Sequence, residues 1–149
     1  MDIIIAGDGE VGMHLAEALE SSDHNITIVD PHEELLKMME SHSDLMTIAG
    51  DSTSISTLQK ANVKKADMVI AVLHDEHINL LTGILAKKLG AKRVIVRVNT
   101  MENLSPESWR IYPRPRHRRY YLAGRHRGAR DYHLAETDSG DRGLRLRGW

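Results

Sequence analysis

Three glycines near the amino terminus constrain the fold of this chain more than any other feature. An apolar run leads into Gly7, Gly9 and Gly12, and a helical pattern follows them. Gly7 permits a tight turn, Gly9 leaves space for a pyrophosphate at the backbone, and Gly12 lets the helix pack closely on the strand. The next apolar run ends in Asp30. Together these features match the dinucleotide-binding fingerprint, and the alternative is a glycine-rich turn that binds nothing.

The residues after the turn indicate which ligand would suit it. The free amides and the dipole at a helix N-terminus attract phosphate groups. Asp30, at the end of the second strand, would accept hydrogen bonds from the adenosine ribose and would repel a 2′-phosphate. The sequence therefore predicts NAD(H) in preference to NADP(H).

Apolar runs and helical patterns alternate through the first two thirds of the chain, and they predict a parallel sheet that is covered on both faces. Right-handed crossovers make this an α/β, Rossmann-like, doubly wound parallel sheet of about five strands, ordered 3-2-1-4-5. We expect the helices to bury Met38 and Leu81 among their apolar residues. The expected strands are 2–6, 25–29, 45–49, 68–73 and 93–98, and the expected helices are 11–21, 31–41, one after Thr53, and 75–89.

Ligands of such sheets lie at the carboxyl ends of the strands, near the point where the strand order reverses. This rule selects residues at the ends of strands three, four and five as further contacts. They are Asp51, Ser52, Leu73, His74 and Arg97.

Several of these residues also have structural interpretations. Asp51 could instead cap the following helix. Arg97 is a cation in a buried strand, which is costly unless an anion meets it, and that anion could be a ligand phosphate or an internal carboxylate. His74 and His77 lie one helical turn apart, but a solvated first turn explains them without a metal. We therefore predict no metal site.

Composition excludes several classes of protein. The chain has no Cys, which rules out disulfides, thiolate metal sites and a cysteine nucleophile. No apolar run reaches the length of a membrane span, and the amino terminus does not resemble a secretion signal. These observations predict a soluble, cytoplasmic protein.

The first two thirds of the chain resemble the regulatory TrkA N-terminal domain (the KTN or RCK domain) of bacterial Trk potassium-uptake systems. The later blocks are more specific to this family than the glycine turn. The matching blocks are 3–12, 28–30, 50–53, 66–72, 75–79 and 97–99.

The resemblance implies a cytoplasmic, homo-oligomeric subunit that binds NAD(H), or in relatives ATP or ADP, and gates a Trk-type membrane potassium transporter. It would reach the membrane through that partner only, with no nucleic acid as a partner. The ligand contacts that the resemblance and the strand ends imply are Gly7, Asp8, Gly9, Glu10, Val11, Gly12, Asp30, Asp51, Ser52, Leu73, His74 and Arg97.

Rossmann domains also serve dehydrogenases, so an NAD-dependent oxidoreductase, or a fragment of one, is the alternative. A dehydrogenase needs a proton donor and a substrate pocket. No Tyr in this chain is followed four residues later by Lys, and no second folded domain is evident. We therefore predict a regulator without catalytic residues.

The composition changes abruptly near residue 105, which divides the chain into a nucleotide-binding domain, 1–104, and a tail, 105–149. Residues 1–109 carry a net charge of −8 and residues 110–149 a net charge of +7, and all seven Lys lie at or before Lys92. The resembling family continues with a helix, a sixth strand and a crossover that helps to form the dimer. The Arg-rich tail instead shows no helical or strand periodicity.

Three interpretations of the tail are open. A basic segment with interleaved aromatic residues could bind nucleic acid or an anionic surface. It could be a disordered arm. It could also result from a reading-frame shift, which the joint loss of Lys, Val and Met and the surge of Arg favour.

Overall fold

The computed structural model describes residues 1–7, 10–20, 24–42 and 45–100, and the backbone of three strands within 119–148. Strands and helices alternate through residue 98, as the apolar pattern predicts. The strands are β1 (Asp2–Ala6), β2 (Asn25–Asp30), β3 (Met46–Ala49), β4 (Met68–Ala71) and β5 (Arg93–Val98). The helices are α1 (Glu10–Glu20), α2 (Glu33–His42), α3 (Ile55–Lys60) and α4 (Glu76–Leu89), with a single 3₁₀ turn at Val63–Lys65.

The five predicted strands are parallel and lie in the predicted order, β3-β2-β1-β4-β5. The doubly wound, Rossmann-like fold is therefore confirmed. The strand order reverses between β1 and β4, so the carboxyl ends of these two strands open the crevice in which such sheets bind ligands.

Three further strands continue this sheet beyond β5, where the sequence indicated an irregular tail. They are β6 (Arg119–Arg125), parallel to β5, and β7 (Tyr132–Glu136) and β8 (Leu146–Gly148), which pair antiparallel. The backbone of β6 pairs with that of β5, that of β7 with β6, and that of β8 with β7. Such backbone bonds do not depend on alternation of apolar and polar side chains, so the composition of this segment did not reveal them.

The core has two layers, one on each face of the sheet. On one face, α1 and α2 cover alternate residues of the strands, including Ile5, Ile28 and Ile70. On the other face, α3 and α4 cover the intervening residues, including Val69 and Val94. Two layers of helix explain why the strands are apolar on both sides.

Some details depart from the predicted elements. Helix α2 begins at Glu33, two residues after Pro31, because Asp30 and His32 form a turn before it. Met38 is 60% exposed and Leu81 is 47% exposed, although both were expected inside. Each helix packs only one stripe on the sheet, and these side chains lie on the outward stripe. Within the described ranges, no helix has the length and hydropathy that a membrane span requires.

Candidate functional site

The turn between β1 and α1 brings two glycines into direct contact. A Cβ built at Gly7 would lie 3.1 Å from the Cα of Gly12 and 3.1 Å from Cγ2 of Val72. A Cβ built at Gly12 would lie 3.4 Å from the Gly7 carbonyl oxygen. A Cβ at Gly7 would be tighter than ordinary contact, whereas a Cβ at Gly12 would just reach ordinary contact with the Gly7 backbone. The helix therefore starts close against the end of the strand, which is the packing expected of the third glycine of the motif.

The other residues of this motif are described only in part. Asp8 and Gly9 lie outside the described residues. Glu10 begins α1, and Val11 is exposed in its first turn. The contacts expected of these four residues with a ligand therefore stay predictions.

Asp30 ends β2 with a carboxylate that has no exposed surface. Its Oδ1 accepts hydrogen bonds from the backbone amide of His32 at 2.7 Å and from His32 Nδ1 at 2.8 Å. Its Oδ2 is buried and has no hydrogen-bond partner among the residues that the structure describes. A buried polar atom without a partner is costly and calls for an explanation, and a ligand hydroxyl would supply the missing donor.

Asp30 and Arg97 occupy one row across the sheet. The register pairs Ala6 with Val29 and Ala71, and it pairs Ala71 with Val96. Continued by one residue beyond the ends of β1 and β4, this register aligns Asp30 with Gly7, Val72 and Arg97. Residues in one row of a parallel sheet project from the same face, and three interstrand spacings separate the two ends of this row by about 14 Å.

Arg97, near the end of β5, is half-buried and reaches toward the end of β4. Its Nη2 donates to the carbonyl oxygen of Leu73 at 2.8 Å. Its Nε is buried and forms no hydrogen bond with any described residue. Within the described part of the chain, no carboxylate forms a salt bridge with Arg97. An internal carboxylate was one of the two anions expected here, and none of the described residues supplies it; the contact of Arg97 with a ligand phosphate stays a prediction.

The ends of β4 and β5 are joined by a buried amide that the strand-end rule did not select. Asn79 Oδ1 accepts from the Leu73 amide at 2.8 Å, and Asn79 Nδ2 donates to the carbonyl oxygens of Leu73 at 2.8 Å and Arg97 at 3.1 Å. One side chain on α4 therefore fixes the backbone at two of the candidate positions. Asn79 belongs to block 75–79 of the family resemblance, which the strand-end rule does not include in the site.

Glu76 forms a second link between α4 and the end of β5. Its Oε2 accepts from the amides of Asn99 at 2.7 Å and Thr100 at 2.9 Å, and its Oε1 accepts from the Thr100 hydroxyl. The chain that leaves β5 is thus held to the start of α4. An acid three residues before Asn79 was the signal in the sequence that could have indicated this link.

The residues at the end of β3 face in different directions. Asp51 is exposed, and its Oδ1 accepts from the Thr53 amide at 2.8 Å and the Thr53 hydroxyl at 2.7 Å, which lowers the pKa of Asp51. The Ser52 hydroxyl is buried and lies 2.9 Å from the Thr82 hydroxyl on α4. Asp51 thus stabilises the turn before α3, and Ser52 joins β3 to α4.

The segment between β4 and α4 contains the histidines that suggested a metal. Leu73 is buried and His74 is exposed. Asp75 caps α4 by accepting from the His77 amide at 2.7 Å, and this bond lowers the pKa of Asp75. In the described ranges, no three His, Cys, Asp or Glu side chains are grouped as metal ligands.

The sequence of the first two thirds of the chain matches a known family. The TrkA-N domain family matches residues 3–106. The Trk system potassium uptake protein TrkA homolog of Archaeoglobus fulgidus is 41% identical over 102 residues, which cover 68% of this chain and 23% of that protein. The chain therefore spans about a quarter of the length of this relative.

Two solved structures share the fold at low sequence identity. The GsuK channel bound to NAD superposes with a TM-score of 0.63 at 22% identity, covering 74% of this chain and 20% of that chain. The Bordetella bronchiseptica enzyme WbmG in complex with NAD superposes with a TM-score of 0.54 at 21% identity, covering 69% of this chain and 39% of that chain. The fold thus occurs in a channel and in an enzyme. The family match over residues 3–106 shows that this chain belongs to the TrkA-N domain family.

Proposed function

We propose that this chain binds NAD(H) across the carboxyl edge of its sheet and, as a cytoplasmic regulatory subunit, gates a Trk-type potassium transporter. One observation carries the proposal. Asp30 Oδ2 and Arg97 Nε are buried without hydrogen-bond partners, and both lie in the row that crosses the switch point. An acceptor at one end of the row and a donor at the other match a dinucleotide, because its adenosine ribose has hydroxyl donors, whereas its central phosphates and the carboxamide at its far end are acceptors.

Asp30 would hold the adenosine ribose. An ionised carboxylate only accepts hydrogen bonds, so Oδ2 suits a hydroxyl donor and repels a 2′-phosphate. The Asp30 side chain has no exposed surface, which strengthens both effects because water screens the charge poorly there. The site is therefore expected to prefer NADH to NADPH.

The two glycines between these ends would bring the phosphates close to the backbone. Gly7 and Gly12 allow α1 to start against the end of β1, at the level of Asp30 and Arg97. The unpaired amides of the first turn of α1 would then be available for a pyrophosphate. On the same ground, we propose that four residues of this turn contact the ligand: Asp8, Gly9, Glu10 and Val11.

Arg97 would sense the charge at the far end of the ligand. Oxidised and reduced nicotinamide differ in charge, as do ADP and ATP, and ATP or ADP is the proposed alternative ligand. Arg97 already contacts Leu73, and Asn79 joins Leu73 to the backbone of Arg97. We propose that Leu73 and His74 respond to the ligand through these bonds. A ligand can switch the protein only by binding one conformation more tightly than another.

The names of relatives support a regulator over an oxidoreductase. The relatives at 41% and 33% identity are both named Trk system potassium uptake protein TrkA homolog. We propose by analogy that the partner is a membrane potassium transporter subunit, that the chain acts as a homo-oligomer, and that it has no enzymatic activity.

We propose that Asp51 and Ser52 contribute to the ligand site from the end of β3. They would do so mainly through their backbone, because their side chains form hydrogen bonds with Thr53 and Thr82.

Calorimetric titration of the full chain with NAD, NADH, NADPH, ATP and ADP tests the binding step. Binding of NADH or an adenine nucleotide, with NADPH weaker than NADH, supports the proposal, and no binding to any of the five contradicts it.

A hydride-transfer assay with a broad set of carbonyl and alcohol substrates separates a regulator from an oxidoreductase, since turnover would favour an oxidoreductase. Nucleotide-dependent potassium flux in vesicles that contain the transporter subunit tests gating.

A further inference from the structure

The chain contains two Asp-x-His turns with the same local geometry. Asp30 Oδ1 accepts from the His32 amide at 2.7 Å and from His32 Nδ1 at 2.8 Å. Asp75 Oδ1 accepts from the His77 amide at 2.7 Å and from His77 Nδ1 at 3.1 Å. In both turns one carboxylate oxygen accepts hydrogen bonds from the backbone amide and from Nδ1 of the same histidine.

The two turns differ in their surroundings. The Asp75 side chain is 54% exposed, so water can solvate its second oxygen. The Asp30 side chain has no exposed surface, and its Oδ2 has no partner. The same turn therefore leaves a free acceptor in a buried environment at Asp30 but not at Asp75.

Pro31, between Asp30 and His32, favours an arrangement in which one carboxylate oxygen is hydrogen-bonded and the other is not. Pro31 has no N–H, so the His32 amide is the first backbone donor after Asp30 that can reach its side chain. A carboxylate has no hydrogen to donate, so His32 Nδ1 must carry the hydrogen of their 2.8 Å contact. Both bonds fix Oδ1, and they leave the opposite oxygen of a rigidly held carboxylate unpaired.

We propose that His32 is a positioning residue for ribose recognition: its two donors hold Asp30 Oδ1 so that Oδ2 accepts from a ribose hydroxyl. This inference rests on the proposed function, because it assumes that Asp30 meets the ribose. The His32 side chain is itself 70% exposed, so removing its ring creates no buried cavity. The backbone bond from His32 also survives replacement of the ring. The ring is thus needed for the orientation of Asp30 rather than for the fold.

The test uses the full chain with ADP and with 2′,3′-dideoxy-ADP, which lacks both ribose hydroxyls. His32→Ala removes the ring donor, and His32→Asn restores an N–H near the position of Nδ1. His77→Ala is the matched control, because it breaks the equivalent pair in the exposed turn. Calorimetry gives the affinities, and circular dichroism checks that each variant is folded.

We expect wild-type protein to bind ADP more tightly than the dideoxy analogue. His32→Ala should weaken ADP binding about five- to tenfold and leave the analogue unchanged. This is less than the full value of one hydrogen bond to a charged group, because the His32 amide still holds Asp30 Oδ1. His32→Asn should restore most of the loss, and His77→Ala should change neither affinity. Equal weakening of both ligands, no weakening of either, or failure of His32→Asn to restore binding overturns the positioning role. Absence of ADP and NADH binding by wild-type protein, or equal affinity for ADP and the analogue, instead overturns the proposed ribose site itself.

Discussion

Asp30 and Arg97 stand in the same row of the sheet, with β1 and β4 between them, and each holds a buried polar atom that has no hydrogen-bond partner. One atom is an acceptor and the other a donor. Burial of an unpaired polar group costs free energy, so a fold that keeps two of them at its switch point favours a ligand that pairs both.

Asp30→Asn should relax the discrimination between NADH and NADPH. Removal of the negative charge weakens the bond to the ribose and ends the repulsion of a 2′-phosphate. We expect NADH to bind about tenfold more weakly and NADPH to change little, as measured by calorimetry. Asp75→Asn is the control, because that carboxylate forms the same turn in an exposed position. An unchanged preference in Asp30→Asn would exclude the ribose role.

Arg97→Gln should weaken binding of phosphate-bearing ligands by about tenfold or more, because a charged donor is lost from a partly buried site. The affinity of the variant should also depend less on ionic strength than that of the wild type. Arg93→Gln is the matched control: it lies on the same strand and face, but at the opposite end, where it contacts Asp67 and Met1. Equal effects of the two variants would mean that Arg97 acts only through general charge.

Asn79→Leu should destabilise the fold. The substitution leaves the Leu73 amide and the Arg97 carbonyl without the bonds that Asn79 makes, at an expected cost of about 2–4 kcal/mol. Urea denaturation measures this change in the free energy of unfolding. Asn25→Ala should cost under about 0.5 kcal/mol, because the Asn25 side chain is exposed and donates to the exposed Asp2 side chain, while the backbone bond from Asn25 to Met1 is kept. Comparable losses in the two variants would contradict the linking role of Asn79.

Stability should fall in acid partly through Asp67, on the opposite edge of the sheet. The hydrogen bond from Lys92, and then that from the Asp2 amide, lowers the pKa of Asp67 below its ordinary value of 3.8. A lowered pKa in the folded state means that the stabilisation is complete above the unfolded-state value and is lost as the pH falls through the folded-state value. Thermal midpoints of wild-type protein should therefore fall more steeply below about pH 4 than those of Asp67→Asn. Parallel curves would show that Asp67 does not contribute.

A chain shortened to residues 1–104 should keep its affinity for NADH, because Asp30, Gly7, Gly12 and Arg97 all precede the cut. It should melt at a lower temperature, since β6 pairs with β5 along six residues and the cut leaves β5 as an edge strand. Thermal melting and calorimetry of both chains check this. Loss of NADH binding would show that residues 105–149 belong to the site, contrary to the proposed boundary.

The parts of this structure in which apolar residues recur at a regular spacing could be predicted from the sequence. Apolar runs separated by helical patterns specify a parallel sheet, and handedness and connectivity then place Asp30 and Arg97 at its carboxyl edge. Positions that depend on one specific tertiary neighbour could not be predicted. Ser52 turns inward because Thr82 is there to meet its hydroxyl.

Two other features escaped prediction for physical reasons. Met38 and Leu81 are apolar, but an apolar residue next to a buried stripe does not by itself reveal which stripe faces the sheet. Strand β6 joins the sheet through its backbone, and its Arg- and Tyr-containing sequence has no clear alternation. The link made by Asn79 could not be predicted for the same reason as the position of Ser52: it depends on tertiary neighbours, here the chain at the ends of β4 and β5.

The most direct test of the central claim is an NMR titration of the ¹⁵N-labelled full chain with NADH, which reports where the ligand binds. The account predicts that amide shifts change mainly at the carboxyl ends of the parallel strands, at Gly7, His32, Leu73 and Arg97. The amides at the opposite edge, at Asp67 and Lys92, should stay unchanged. Shifts concentrated at that opposite edge, or in residues 119–148, would contradict the account.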